Sequence, residues 1–296
     1  MTQGRHGWQL HGTSAELYER FLVPTVTLPW AHDLVGRVGL RSGEHVLDVA
    51  CGTGAVARLA ASAVGDGGRV AAVDVNHEML AVGRSLPRTA GAPIEWNEGS
   101  ADALPFGDGE FSVLLCQLGL QFFPDRPAAL GEMRRVLAVP GRIGASVFTS
   151  IERNAAAQAL ADAVDRHLGD GASDAKRSEH SLADEEELSE LFDAGGFAGI
   201  RIETVTQNIR FASVDEWVAI QLTATPLAAL LAERDPLQRE RVIGLVTEDV
   251  RDRLAAFVRP DAFVFPQEVH VALANASQAS RRGLDPDGLS SVDERC

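Results

Sequence analysis

Apolar and polar positions alternate in two registers along the first half of the chain. His45–Val49, Arg69–Asp74, Ile94–Glu98, Phe111–Cys116 and Arg142–Phe148 are short runs, mostly apolar, of strand length. Between them, Ala55–Val64, His77–Gly83 and Arg126–Leu137 carry apolar residues at helical spacing, the last closed by Pro140 and Gly141. Strands that are apolar along their length and alternate with helices predict a parallel sheet covered on both faces. Ahead of this block, Ser14–Leu22 is amphipathic and Trp30–Val38 forms a second helical segment after Pro29. Behind it, Asn154–Leu168 and Asp184–Ala194 read as helices, the second stopped by Gly195 and Gly196. Ile200–Ile209 and Phe263–Leu273 read as two further strands, which brings the sheet to seven.

Asp215–Leu222, Pro226–Ala232 and Pro236–Phe257 are helical and lie between those last two strands. An insertion of about 50 residues is too long for a plain connection and has helices of its own, so it reads as a cap or pocket wall. The chain divides accordingly into an N-terminal helical lid (1–40), an α/β core (41–208), a helical cap (209–261), a last core strand (262–275) and a polar tail (276–296) expected to be disordered.

Composition narrows the function classes. The 296 residues carry 27 Lys and Arg against 42 Asp and Glu, a formal charge of -15, which argues against binding a nucleic acid backbone. No apolar run approaches the roughly 20 residues that span a bilayer, and the first residues are polar, without the apolar core of a signal peptide. The three cysteines, Cys51, Cys116 and Cys296, are too widely spaced for a disulfide framework or a zinc site. A reduced cytoplasm, no membrane insertion, no metal, and a monomer or homodimer are the expectations.

The chemistry starts at Asp48–Ala57, DVACGTGAVA, which leaves the first strand and opens a helix. Gly52 and Gly54 permit a tight turn and the close approach of a ligand. The Gly52-x-Gly54-x-x-Ala57 spacing also fits a dinucleotide fingerprint, and Asp74, about 20 residues on at the end of the second strand, is placed to accept from a ribose diol. A tight strand–helix turn with a capping aspartate would give the same glycine pair. Asp48 discriminates further: a carboxylate repels a pyrophosphate but welcomes the α-amino group of a sulfonium cofactor.

At this point the chain resembles the class I S-adenosylmethionine-dependent methyltransferases, in their ubiquinone/menaquinone-biosynthesis-type branch. The resemblance runs from Glu44 to Phe148 through four ordered blocks: VLDVACGTG (Val46–Gly54), VAAVDVNHEML (Val70–Leu80), the stretch Glu98–Asp125, and Ala129–Phe148. It implies a Rossmann-like fold, S-adenosyl-L-methionine as cofactor, S-adenosyl-L-homocysteine as product, and a small-molecule methyl acceptor. It also implies residue roles. Asp48, Gly52 and Gly54 would line the methionine end, with Ala50, Cys51 and Thr53 presenting backbone. Asp74 would hold the ribose hydroxyls, with Val75, Asn76 and Met79 packed near ribose and adenine. Ser100, Ala101 and Asp102 would reach the adenine edge, and Gln117 would sit beneath the methionine moiety.

The chain departs from the pattern at three places. Ser100 stands where many relatives have Asp, Gly119–Phe123 lacks the usual histidine, and the turn before the fifth strand is reduced to Pro140-Gly141-Arg142. Gln121 and Phe122, in the altered stretch, are candidates for substrate contact; Gln121 cannot act as a base. Phe122, Phe123, Trp217 and Phe265 suggest a partly apolar acceptor. A base is needed only for an acceptor whose proton must leave early. His6, His11 and His270, of eight histidines, are the candidates for one, and Tyr18, the only tyrosine, is a candidate for cofactor or substrate contact. The lack of a recognisable base inclines the reading toward N- or C-methylation. A cofactor-assisted cyclisation and a non-enzymatic binding module remain as alternatives.

Overall fold

The computed structural model describes residues 14–88 and 90–277. Its sheet has eight strands: β1 (His45–Val49), β2 (Arg69–Asp74), β3 (Ile94–Glu98), β4 (Phe111–Gln117), β5 (Leu137–Phe148), β6 (Phe197–Phe211), β7 (Val258–Arg259) and β8 (Ala262–Ala276). The order is β3-β2-β1-β4-β5-β8-β6, with β7 paired to β8 outside this path. β3 to β5 run parallel, whereas β8 is antiparallel to both β5 and β6. The eighth strand corrects the expected seven. Val258 and Arg259 pair with Phe263 and Ala262 across Pro260-Asp261, and two residues are too short to show a period in the sequence.

The inner strands β1, β2 and β4 bury both faces, the edge strands β3 and β6 do not, and the alternation sorts the core into two layers. Leu47, Val49, Ala71, Val73, Leu114 and Cys116 face α5 (Arg126–Val136) and α8 (Glu185–Ala194). Val46, Val70, Ala72, Val113 and Leu115 face α2 (Leu28–Val38) and α3 (Ala55–Val64). α4 (His77–Ser85) packs beside β2 and β3.

The N-terminal segments form one run rather than two. α1 (Ser14–Leu17) passes through a π-helical stretch, Tyr18–Thr27, directly into α2, and Thr27 and Leu28 at the junction have helical dihedrals. Pro24 lies inside the π-helical stretch and Pro29 in the first turn of α2. A proline lacks an N–H and collides with the carbonyl four residues back; the wider π turn accommodates what an α turn would not.

Beyond β5 come α6 (Ala155–Leu168) and α7 (Asp174–Ser178); α9 (Val214–Thr223) and α10 (Pro236–Arg253) lie between β6 and β7. They share a second core with the outer ends of β6 and β8. Ile209, Phe211, Phe263 and Phe265 lie on the part of the β6–β8 ladder that extends past β5 and pack with Trp217, whose ring lies 5.5 Å from Phe263 and 5.4 Å from Phe265. The cap is thus mounted on strands of the core sheet. No described helix is long and apolar enough to cross a membrane. His6, His11, Cys296 and the tail from residue 278 lie outside the described residues.

Two glycines give opposite expectations. A Cβ at Gly144 on β5 would stand 2.3 Å from Val38 Cγ2, whereas at Gly36 on α2 it would meet nothing within 4 Å. Gly144→Ala is expected to destabilise by about 1–3 kcal/mol through overpacking. Gly36→Ala, at an exposed position in a helix, is expected to stabilise by roughly 0.5–1 kcal/mol. Denaturant unfolding of both variants checks the pair.

Candidate functional site

The parallel order reverses direction between β1 and β4, and a crevice opens there at the carboxyl ends of the strands, the usual ligand position in such sheets. It is a cavity of about 290 Å³, bounded by the strand ends below, the π-helical stretch on one side and the cap above.

Asp48 ends up here because it belongs to the face of β1 that packs on α3. Its carboxylate is 1% exposed and lies under the first turn of α3, where Oδ2 accepts from Ala57 N at 2.9 Å. An acid at that place satisfies an otherwise orphaned helix N–H and meets the positive end of the helix dipole. Burial nonetheless dominates: it pushes the Asp48 carboxyl up to about 8, with the Ala57 N–H opposing and the Asp74 charge adding to the rise.

Asp74 closes β2. Its Oδ2 accepts from Gly52 N at 2.7 Å and its Oδ1 from Asn76 N at 2.8 Å, so the carboxylate ties the glycine turn to the next loop. Burial raises its pKa and these backbone donors pull it back. Asn76 in turn caps α4, its Oδ1 accepting from Glu78 N and Met79 N, worth about 1 kcal/mol to the helix.

The turn between them is held in unusual backbone. Gly52 has φ of 56° and Ala50 also has φ of 56°. The other non-glycine residue with positive φ among those described is Leu118, at 51°, immediately after β4. Both Ala50 and Leu118 border the cavity. Each costs roughly 1–2 kcal/mol relative to glycine, the kind of strain that gathers at functional sites.

Of the sequence-derived residues, Ala50, Cys51, Gly52, Asp74, Val75, Asn76 and Met79 border the cavity with Asp48, as do Ser100, Ala101, Gln117, Phe122 and Tyr18. Gln117 donates from Nε2 to Thr27 O at 2.9 Å, and its buried Oε1 has no protein partner. Tyr18 bonds Thr27 Oγ1 at 3.0 Å, and burial pushes its phenol up to about 12. Burial likewise pushes up the Cys51 and Cys116 thiols, which keeps them protonated and unreactive.

Five residues fall elsewhere. Gly54 is set by packing: a Cβ there would stand 2.3 Å from the Trp96 ring. Thr53 points into protein, its carbonyl accepting from Arg58. Asp102 is exposed off the cavity rim. Gln121 is buried and turns back to donate to Leu118 O at 2.9 Å. His270 is engaged on the other side of β8, by Thr204 Oγ1 and Ala183 O, each at 3.0 Å. It is therefore removed as a base for this cavity.

The sequence reading missed a polar cluster. Lys176 on α7, Glu179 just after it and Gln221 on α9 all border the cavity. A signal was present: Lys176 is the only lysine among 27 Lys and Arg residues. No group of three or more His, Cys, Asp or Glu among the described residues is placed to share a metal ion.

The buried Asp48 carries a testable sign. Its carboxyl titrates near 8 in the folded protein against an ordinary 3.8. Between those values the native state holds a proton that the unfolded chain has lost, so this group lowers stability as pH rises from about 4 to about 8. Asp48→Asn keeps an acceptor for Ala57 N–H and removes the titration. Thermal melts are expected to show the variant gaining on the wild type as pH rises through that window.

Comparison with known proteins covers the same strands. The ubiE/COQ5 methyltransferase family profile matches residues 27–213. The ubiquinone/menaquinone biosynthesis C-methyltransferase UbiE of Hahella chejuensis is 39% identical over 116 residues, which are 38% of this chain and 47% of that protein. The chain spans about half the length of the curated relatives it matches. Among solved structures, the YcgJ protein from Bacillus subtilis has a TM-score of 0.54 at 19% identity, covering 84% of this chain and 98% of that one. Phosphoethanolamine N-methyltransferase 2 of Haemonchus contortus, in complex with S-adenosyl-L-methionine, has a TM-score of 0.50 at 14% identity, covering 90% of this chain and 61% of that one. At these identities the structures share the fold. The profile match spans β1 to β6 and the turns that border the cavity, and on that ground the chain belongs to the ubiE/COQ5 methyltransferase family.

Proposed function

We propose that the protein transfers a methyl group from S-adenosyl-L-methionine to a small-molecule acceptor bound between the core and the cap. The observation that carries this reading is the arrangement of unspent acceptors around the glycine turn. Asp48 has a single backbone donor, and Gln117 Oε1, buried at the end of β4, has none. A ligand's α-ammonium supplies the donors that both lack, and charge-assisted bonds of this kind are the strong ones. Asp74 accepts from the backbone N–H groups of Gly52, Asn76 and Val75, and of the roughly four lone-pair sites of a carboxylate about one stays open for a ribose hydroxyl. The cofactor supplies an electrophilic methyl on a positively charged sulfur. The chain supplies alignment and the exclusion of water: Tyr18, Leu22 and Val26 close one side, and Phe148, Trp217 and Phe265 the other.

Two expectations follow for calorimetric titration. S-adenosyl-L-methionine and S-adenosyl-L-homocysteine bind and NADH does not, and Asp74→Asn weakens both adenosyl ligands by about 1.5–3 kcal/mol, the range for a hydrogen bond to a charged group. Binding at neutral pH also releases a proton, because the ammonium holds Asp48 ionised where burial alone keeps it protonated. The same titration in buffers of different ionisation enthalpy reads that proton. Equal affinity for NADH, or none for the adenosyl ligands, overturns the reading.

A further inference from the structure

Where α7 meets α9, the cavity wall holds an ion pair that stability does not explain. Lys176 is 8% exposed, Glu179 4% and Gln221 5%. The Lys176 ammonium donates to Glu179 Oε2 at 2.8 Å and to Gln221 Oε1 at 3.1 Å. An ammonium has three N–H donors, and the third has no partner among the described residues. Burying such a pair usually costs as much as it returns, and apolar replacements of similar volume are often neutral or better. All three residues nevertheless border the cavity, beside Phe148, Trp217 and Phe265.

The pair also restricts what the occupant presents to it. A group arriving as an anion sets two negative charges against one ammonium. A cationic amine meets a like charge, and a neutral amine is too weak an acid to yield a proton to a carboxylate. A hydroxyl on an aromatic or conjugated body arrives neutral and meets a proton acceptor and a cation together.

We propose, on the methyl-transfer reading above, that Lys176 and Glu179 activate an acceptor of this class: Glu179 takes the hydroxyl proton and the Lys176 ammonium holds the oxygen left behind. The acceptor's O–H bond breaks, its electron pair stays on that oxygen, and the proton forms a new O–H bond on Glu179. The ammonium keeps its three hydrogens. One negative charge faces one ammonium before and after, so the transfer adds no net charge to a dry site. Burial already holds the Glu179 carboxyl above the ordinary carboxylate range, with Lys176 opposing, which favours its protonated form once a second anion shares the ammonium.

The test uses 4-nitrophenol, whose ionised form absorbs in the visible, with 4-nitroanisole as the probe of similar shape that has no proton to give. Both are titrated into the full chain with and without S-adenosyl-L-homocysteine, at a pH one unit below the phenol's own pKa. The wild type is expected to bind the phenol at least tenfold more tightly than the anisole, to hold it as phenolate, and to release no proton to buffer. The double variant Lys176→Met, Glu179→Gln removes both charges together and leaves no uncompensated buried ion; it is expected to lose the preference and the phenolate band while binding S-adenosyl-L-homocysteine as the wild type does. Glu179→Gln alone keeps the ammonium, and there the phenolate persists but its proton appears in the buffer. Phenol bound in neutral form, no binding of the phenol to the wild type, or a preference that survives in the double variant overturns the proposal. Loss of S-adenosyl-L-homocysteine binding in the wild type overturns the cofactor reading instead, and the titrations without it still decide the pair.

Discussion

A carboxylate removed from water needs something to hold it, and the site around Asp48 is organised by that need. The side chain sits on a strand interior, where apolar neighbours would be cheaper, and only the first turn of α3 offers it a donor. The helix must therefore start close against the strand end, which forces the turn between them to be short, left-handed and free of bulky side chains. Gly52 and the strained Ala50 answer that demand, and Asp74 fixes the turn from the neighbouring strand through Gly52 N–H. The chain accepts destabilisation at one place to keep an acceptor ready there. Such a group does nothing for folding that an asparagine would not do as well, and its cost is in keeping with the cationic ligand of the proposed function.

The core of this arrangement was legible in the sequence because it is local. β1, β2 and β3 and helix α3 have the boundaries that their apolar runs indicate, since each run is flanked by glycine or charge. The glycine turn and Asp74 sit within a few residues of those elements, so their positions follow once the strands are known. Trp217, in the helical insertion, and Phe265, on the last strand, hint in the sequence at a partly apolar acceptor and equally at the core of the cap; they pack on each other in that core and also border the cavity.

What escaped was non-local. Lys176 and Glu179 pair locally, three residues apart, but Gln221 comes from α9, and nothing in either segment says that the two meet or that they border a cavity. His270 failed for a related reason: β8 borders the cavity with Phe265, Pro266 and Gln267, and His270, three positions further along the strand, meets Thr204 and the Ala183 carbonyl instead. Gln121 was misplaced because a three-residue 3₁₀ turn, Leu120–Phe122, rotates its neighbours by larger steps than an α-helix does. Gly54 was read as space for a ligand when it is space for Trp96, which the chain supplies from a strand about forty residues further on.

The lysine count has a consequence of its own. Every other basic side chain that carries a fixed charge in this protein is a guanidinium, so the outer surface among the described residues offers cationic groups but no primary amine. Reagents that acylate or alkylate amines find their one side-chain target, Lys176, on the wall of the cavity. Amine chemistry, which in most proteins reports on the exterior at many points at once, becomes here a readout of one side chain beside the backbone α-amine, and that side chain reports whether the cavity is filled.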